Sequence, residues 1–281
     1  MGVQSLRRAA WAGLQDSMPR AALLSLHARV EGVEPSTWDH ASLAQLWGPR
    51  YQIYVVAKRD FALFSLGRFP DSVKGRLRAE RMADQLHAHL EGARMTDREI
   101  GRALGLGNEL RYGATTGRLA IRWDGARAPV VWTVAAAEID PADARSELAR
   151  RYLHIFGPAT ADGFAHWAGV SRRAAADAFA SLENSLLPVR SPLGDLLLHG
   201  AERELLVPRA DQRERLWTPR VWPGALLVDG EIRGTWRRAN RTVRVDPWVR
   251  LSPRTREAVE AEAGGLPLPG VDKAIEVAWD T

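Results

Sequence analysis

Two stretches of this chain, "TDREIGRALGL" from Thr96 and "TADGFAHWAGV" from Thr160, share one pattern. Each opens on Thr, places an apolar residue four positions later (Ile100, Phe164), and closes on Gly105 or Gly169 followed by Leu106 or Val170. A Thr hydroxyl before a helix accepts from a first-turn amide, and Glu99 three residues after Thr96 reaches back to complete a capping box. Glycine beyond the last turn adopts the left-handed conformation that stops a helix. A second helix is expected after each, around Asn108–Tyr112 and over Ser171–Glu183. A short helix, a glycine turn and a second helix make a helix–turn–helix.

The segment after each pair reads as a β-hairpin. In "GRLAIRWDGARAPVVW" Leu119, Ile121 and Trp123 point one way and Arg118, Ala120 and Arg122 the other, with Asp124-Gly125 as a two-residue turn. After the second pair, "LLPVRSPLGDLLLHG" can fold back around Pro192–Asp195. Helices leading into a hairpin describe a winged helix, and the pattern occurs twice.

The opening region suggests a third copy. Leu14, Met18, Ala21, Ala22, Leu26 and Val30 recur at helical steps, predicting a helix over Asp16–Val30. Next come a helix over Ser36–Trp47 with Ser36 as N-cap, the strand-like "YQIYVVAK" and a helix near Arg59–Leu66. "FPDSVKG" and "EIDPADA" read as linkers. Towards the C-terminus, "GALLVDGEIRGTW" is a hairpin around Asp229-Gly230, "TVRVDPWVRL" a strand, "SPRTREAVEAEAGG" a capped helix and "AIEVAWD" a final strand. The expected class is α+β: tandem winged-helix units at 1–70, 71–140 and 141–215, then a small α+β module at 216–281.

The 281 residues include no cysteine, which excludes disulfides and thiol catalysis and suits a reducing cytoplasm. No apolar run approaches the roughly 18 residues of a membrane span, and charged residues interrupt the N-terminus where a signal core would lie. Walker A, G-x-G-x-x-G, H-E-x-x-H and G-x-S-x-G patterns are missing. His87 and His89, two apart on a helical stretch, point away from each other, so neither a metal nor another cofactor is expected. Net charge is +5, and all but three of the 39 basic residues are arginine; composition alone fits Arg-rich codon usage and a solvated surface better than a phosphate-binding face, so the placement of the arginines decides. The tandem winged-helix pattern, rather than the charge, makes duplex DNA the expected partner. Candidate contacts are Arg172 and Arg173, at the start of the third unit's second helix, and Arg118 and Arg122 on one face of the hairpin. Three different units in one chain suit a monomer better than a dimeric repressor.

The triplet Gln15-Asp16-Ser17 has two readings: a helix cap just before Met18-Pro19, or side chains that face a substrate. Capping does not require Gln15.

In "GLQDSMPRAALLSLHARV", "LRYGATTGRLAIRWDGAR", "RYLHIFGPATADGFAHWAGVS" and "LWTPRVWPGALLVDGEIRGTWRR" the chain resembles the bacterial winged-helix DNA-binding-domain proteins that include the azinomycin-resistance (AlkZ-like) DNA glycosylases. That resemblance implies excision of N7-alkylated or crosslinked guanine by water attack at C1′, with a non-catalytic, regulatory DNA-binding protein as the alternative. The family's catalytic motif is Gln–apolar–Gln, or Gln–apolar–Asp. Carried onto this chain it falls on Gln15, Asp16 and Ser17, and only Gln15 matches. The resemblance also implies more sequence ahead of the motif, which leaves either a truncated first unit or a misassigned start.

Overall fold

The computed structural model describes residues 2–17, 20–125, 127–186, 207–219, 222–267 and 275–280. It is a mixed α+β molecule that divides into two compact units, residues 1–197 and 198–281.

The first unit is built on a six-stranded sheet. Its strands are β1 (Leu14–Gln15), β2 (Leu43–Trp47), β3 (Ile53–Ala57), β4 (Met95–Thr96), β5 (Leu119–Arg122) and β6 (Val130–Thr133), ordered β1-β3-β2-β5-β6-β4. All neighbours are antiparallel. The β2–β3 and β5–β6 hairpins join through Gln45 opposite Ile121, so a single sheet serves both. Around it pack α1 (Val3–Ala9), α2 (Ala21–His27), α3 (Phe61–Leu66), α4 (Val73–Leu90), α5 (Asp97–Leu104), α6 (Pro141–Phe156), α7 (Ala161–Ala168) and α8 (Arg172–Leu182).

Local chemistry sets the helix ends. The Thr96–Glu99 capping box forms, Thr160 and Ser171 accept from the third amides of α7 and α8, and Gly105 and Gly169 close α5 and α7 at φ +66° and +72°. The two expected linkers are helix starts instead. Ser72 caps α4, and Asp140 accepts from two amides of α6 with Pro141 at the first position, where its missing N–H costs nothing.

Three elements differ from the sequence expectation. The helix expected over Asp16–Val30 begins only at Ala21, because Leu14 and Gln15 pair with Val55 and Tyr54 as a strand. The helix expected over Ser36–Trp47 is a 3-10 turn, Pro35–Asp39, capped by Glu34 rather than Ser36, and then β2. Strands on both sides of Leu43–Trp47 supply ladder partners that local periodicity cannot register. The helix expected near Asn108–Tyr112 is a 3-10 segment, Asn108–Thr116.

The β5–β6 hairpin is also looser than a two-residue turn. Its ladder ends at Arg122–Val130, leaving a loop over 123–129. Ala120 is buried like Leu119 and Ile121, so both sheet faces are covered there. The hairpin expected around Pro192–Asp195 lies outside the described residues.

The apolar core runs across the expected unit boundaries. Leu46, Tyr54, Leu63 and Phe64 share a cluster with Leu148, Tyr152, Phe164 and Trp167, while Trp47 packs with Leu86, Ile100 and Ile121. A buried ion pair reinforces the first cluster: Arg151 on α6 holds both carboxylate oxygens of Asp60 at 2.9 and 3.1 Å and donates to the Trp11 carbonyl.

In the second unit, Gly224–Val228, Glu231–Ala239, Thr242–Pro247 and Glu276–Trp279 form a four-stranded sheet. Asp229 and Gly230, at φ +53° and +80°, form the expected turn, in which both residues need positive φ. The helix Pro253–Gly264, capped by Ser252, packs Ala263 and Val259 against this sheet's apolar residues.

Candidate functional site

Strand geometry sorts the Gln15-Asp16-Ser17 triplet. Successive side chains along an extended chain point to opposite faces. Gln15 and Ser17 therefore lie on one side, exposed, and the Gln15 amide donates to the Ser17 hydroxyl. Asp16 points the other way and is fully buried. On the helix expected from the sequence, neighbours would diverge by only about 100°. The extended backbone removes Asp16 from the Gln15 surface altogether, so it cannot stand in for Ser17.

The buried carboxylate has specific partners. Asp16 Oδ1 accepts from the backbone N–H of Ala22, in the first turn of α2, at 3.0 Å. Its Oδ2 accepts from the Gln45 amide at 3.1 Å. The capping reading therefore describes Asp16, acting from six residues away, and not Ser17. Gln45 in turn accepts the Trp123 N–H at 2.7 Å and donates to the Trp123 carbonyl at 3.3 Å. The Asp16 amide donates to the Ile53 carbonyl at 2.7 Å, extending the β1 ladder. Gln15 is thus presented by a strand end clamped from behind by β3, α2, β2 and the β5–β6 loop.

Burial pushes the Asp16 carboxyl from 3.8 up to about 7, against the opposing pull of the Ala22 amide, the Arg20 charge, the Gln45 amide and the Arg122 charge. Both arginines lie over the buried Trp38 ring, Arg20 at 4.4 Å and Arg122 at 5.0 Å from its centroid. Arg122 also donates to the Trp38 carbonyl and pairs with Asp39. Gln45 and Arg122 line a cleft of about 630 Å³ together with Lys58, Phe61, Arg94 and Trp132.

Of the four arginines expected to meet DNA, only Arg122 comes near the triplet. Arg118 is paired with Asp84 at 2.6 Å. Arg172 and Arg173 are highly exposed on α8, beside Asp162 at 3.6 Å and Asp177 at 3.9 Å. Sequence reasoning missed Gln45, Trp38 and Arg20. Gln45 left one trace, a lone amide inside the apolar run Leu43–Trp47; nothing local pointed to the other two. Among the described residues no cluster of three or more His, Asp or Glu is arranged to hold a metal ion. Nor is any described helix long and apolar enough to cross a membrane.

A family model described as "DNA glycosylase AlkZ-like" matches residues 8–195 and 191–267. Among solved structures, the DNA glycosylase AlkZ of Streptomyces sahachiroi superimposes with a TM-score of 0.74 at 16% identity, over 98% of this chain and 94% of that one. That likeness is one of fold. No curated protein matches the chain in a sequence comparison.

Proposed function

Because the chain belongs to the AlkZ-like DNA glycosylase family, we propose that it hydrolyses the N-glycosidic bond of N7-alkylated or crosslinked guanine in duplex DNA, with Gln15 as the residue that positions the attacking water. The observation that carries this reading is the exposed Gln15–Ser17 pair on a strand end braced by buried Asp16.

An N7-alkylated guanine carries a positive charge and leaves without being protonated. The enzyme must hold a water at C1′ and stabilise an oxocarbenium-like transition state. The water oxygen bonds to C1′ as the C1′–N9 bond breaks. The electron pair passes to the base and cancels its charge, and the water's proton goes to solvent. Donation of the Gln15 amide to Ser17 orients its Oε1 to accept from that water. Ser17 is a weaker partner than the Gln or Asp the family motif would place there, since a hydroxyl is short and uncharged. The slow enzyme this implies is favoured over a purely regulatory protein because the Gln15–Ser17 spacing and common face persist.

The architecture supports a finer reading of the fold. The α5 helix, the glycine turn, the 3-10 segment and the β5–β6 hairpin come in winged-helix order within 71–140. We take 1–70 and 141–215 as related units and 216–281 as the appended module, in a chain that acts as a monomer.

Release of N7-methylguanine from methylated duplex DNA tests the activity. Wild type should release the base. Gln15→Ala should abolish release while DNA binding persists, the mark of an interaction made in the transition state. Ser17→Gln should raise the rate. No release by wild type or Ser17→Gln would leave a DNA-binding relative without the chemistry.

A further inference from the structure

Several arginines among the described residues are engaged with carboxylates. Arg118, Arg122, Arg150, Arg151, Arg172 and Arg173 each lie within 4 Å of a carboxylate. Arg98, Arg102, Arg111 and Arg127 form no ion pair among the described residues, and all four line one open cleft of about 700 Å³. Its single acidic wall residue is Asp97, beside Arg98 and Arg111. Glu99, next to Arg102, spends its carboxylate on the Thr96 cap. Four cations facing one carboxylate in an open groove, without an ion pair among the described residues, are poised for an external polyanion.

The cleft is also preformed. One wall is α5 and the glycine turn after it; the other is the β5–β6 loop. The Asp97 amide donates to the Pro129 carbonyl at 2.9 Å and joins the walls. Within the loop, the Trp123 indole donates to the Arg127 carbonyl at 2.9 Å, and Asp124 accepts the Arg127 amide at 3.0 Å. The backbone of Trp123 is held by Gln45, which holds Asp16, the neighbour of Gln15. A hydrogen-bonded path of three residues therefore connects the cleft to the strand that presents Gln15.

We infer that this cleft, rather than the surfaces of Arg118, Arg172 and Arg173, grips the phosphate backbone of duplex DNA, through Arg98, Arg102, Arg111 and Arg127. The inference rests on the proposed action on DNA and assigns it a place. Phosphodiester oxygens supply the negative charge these guanidiniums lack, and an open groove admits a continuous strand where a closed pocket would not. Contacts of this kind position DNA without reading its sequence.

The test measures binding of a short undamaged duplex at several salt concentrations, so it stands whether or not any base is released. Arg102→Ala with Arg127→Ala changes two exposed side chains. It should weaken binding and reduce the slope of log K against log salt by about two, one per lost phosphate contact. Arg172→Ala with Arg173→Ala removes the same charge elsewhere and should keep the wild-type slope. Arg102→Lys with Arg127→Lys retains the charge and should keep most of the slope. The assignment is overturned if the Arg102/Arg127 alanine pair behaves like wild type. It is also overturned if the Arg172/Arg173 pair loses as much, if the lysine pair falls as far as the alanine pair, or if the wild-type protein shows no salt-dependent binding.

Discussion

At the scale of single residues, Asp16 is the least ordinary feature of the chain. It is fully buried, at the position where the resemblance to the glycosylases implies an apolar side chain. Its carboxylate is retained by two donors and two nearby arginines, yet burial still raises its titration to about 7 from 3.8. A raised pKa means that the folded state holds the proton more tightly than the unfolded chain does. As pH rises from about 4 the unfolded carboxyl ionises first, so this group's contribution to stability falls until the folded carboxyl ionises near 7, then levels. Asp16→Asn removes that titration. The stability of the variant relative to wild type should rise between pH 4 and 7, by up to about 1.4 kcal/mol per pH unit, and stay constant above. Urea denaturation at a series of pH values measures this; a difference independent of pH would place the titration elsewhere. The pH-independent offset reports a separate loss, since an Asn amide nitrogen facing Gln45 cannot accept its hydrogen bond.

Among elements, the capped helices and the glycine stops are local devices and carry local energies. Removing the Thr96 hydroxyl should cost about 1 kcal/mol, because it leaves the Glu99 amide without its acceptor. Thermal unfolding of Thr96→Ala checks this. The contact between α6 and the start of α3 is of another size. Arg151 and Asp60 are both buried, and Arg151→Ala would take both guanidinium hydrogen bonds from a core carboxylate, leaving only the exposed Arg59 at 3.8 Å. The expected loss is about 3–5 kcal/mol. Pairing Arg151→Met with Asp60→Asn should recover part of it, since no unpaired charge then remains. Chemical denaturation of the two variants separates the cost of an orphaned charge from that of lost packing.

For the molecule as a whole, repeated sequence units do not mean separate cores. Phe64 and Tyr54, from the first seventy residues, are buried against Phe164 and Trp167 from beyond 141. A chain ending at residue 140 would expose that cluster, and it should show no cooperative thermal transition by circular dichroism. A sharp transition in that fragment would show the first two units to be self-sufficient. A shared core also places α5, the glycine turn after it, the β5–β6 loop and the Gln15 strand on one braced framework. An enzyme needs that rigidity if phosphates gripped at the cleft are to set the distance from a water to C1′.

The sequence alone determined whatever is decided within a few residues. The Thr96 box, the Thr160 and Ser171 caps, the left-handed glycines 105 and 169, and the Asp229-Gly230 turn all depend on neighbours in the chain. Tertiary structure decided what depends on distant partners. Leu43–Trp47 reads as a helix until strands on either side give it a ladder. Gln15-Asp16-Ser17 reads either as a cap or as a substrate-facing triplet until pairing of β1 with β3 separates the exposed Gln15 and Ser17 from Asp16, which caps α2 from six residues away. Among arginines that composition cannot tell apart, only the fold decides which pair with carboxylates and which line a groove without an ion pair among the described residues. Electrostatic pairing acts through space, and chain spacing carries no record of it.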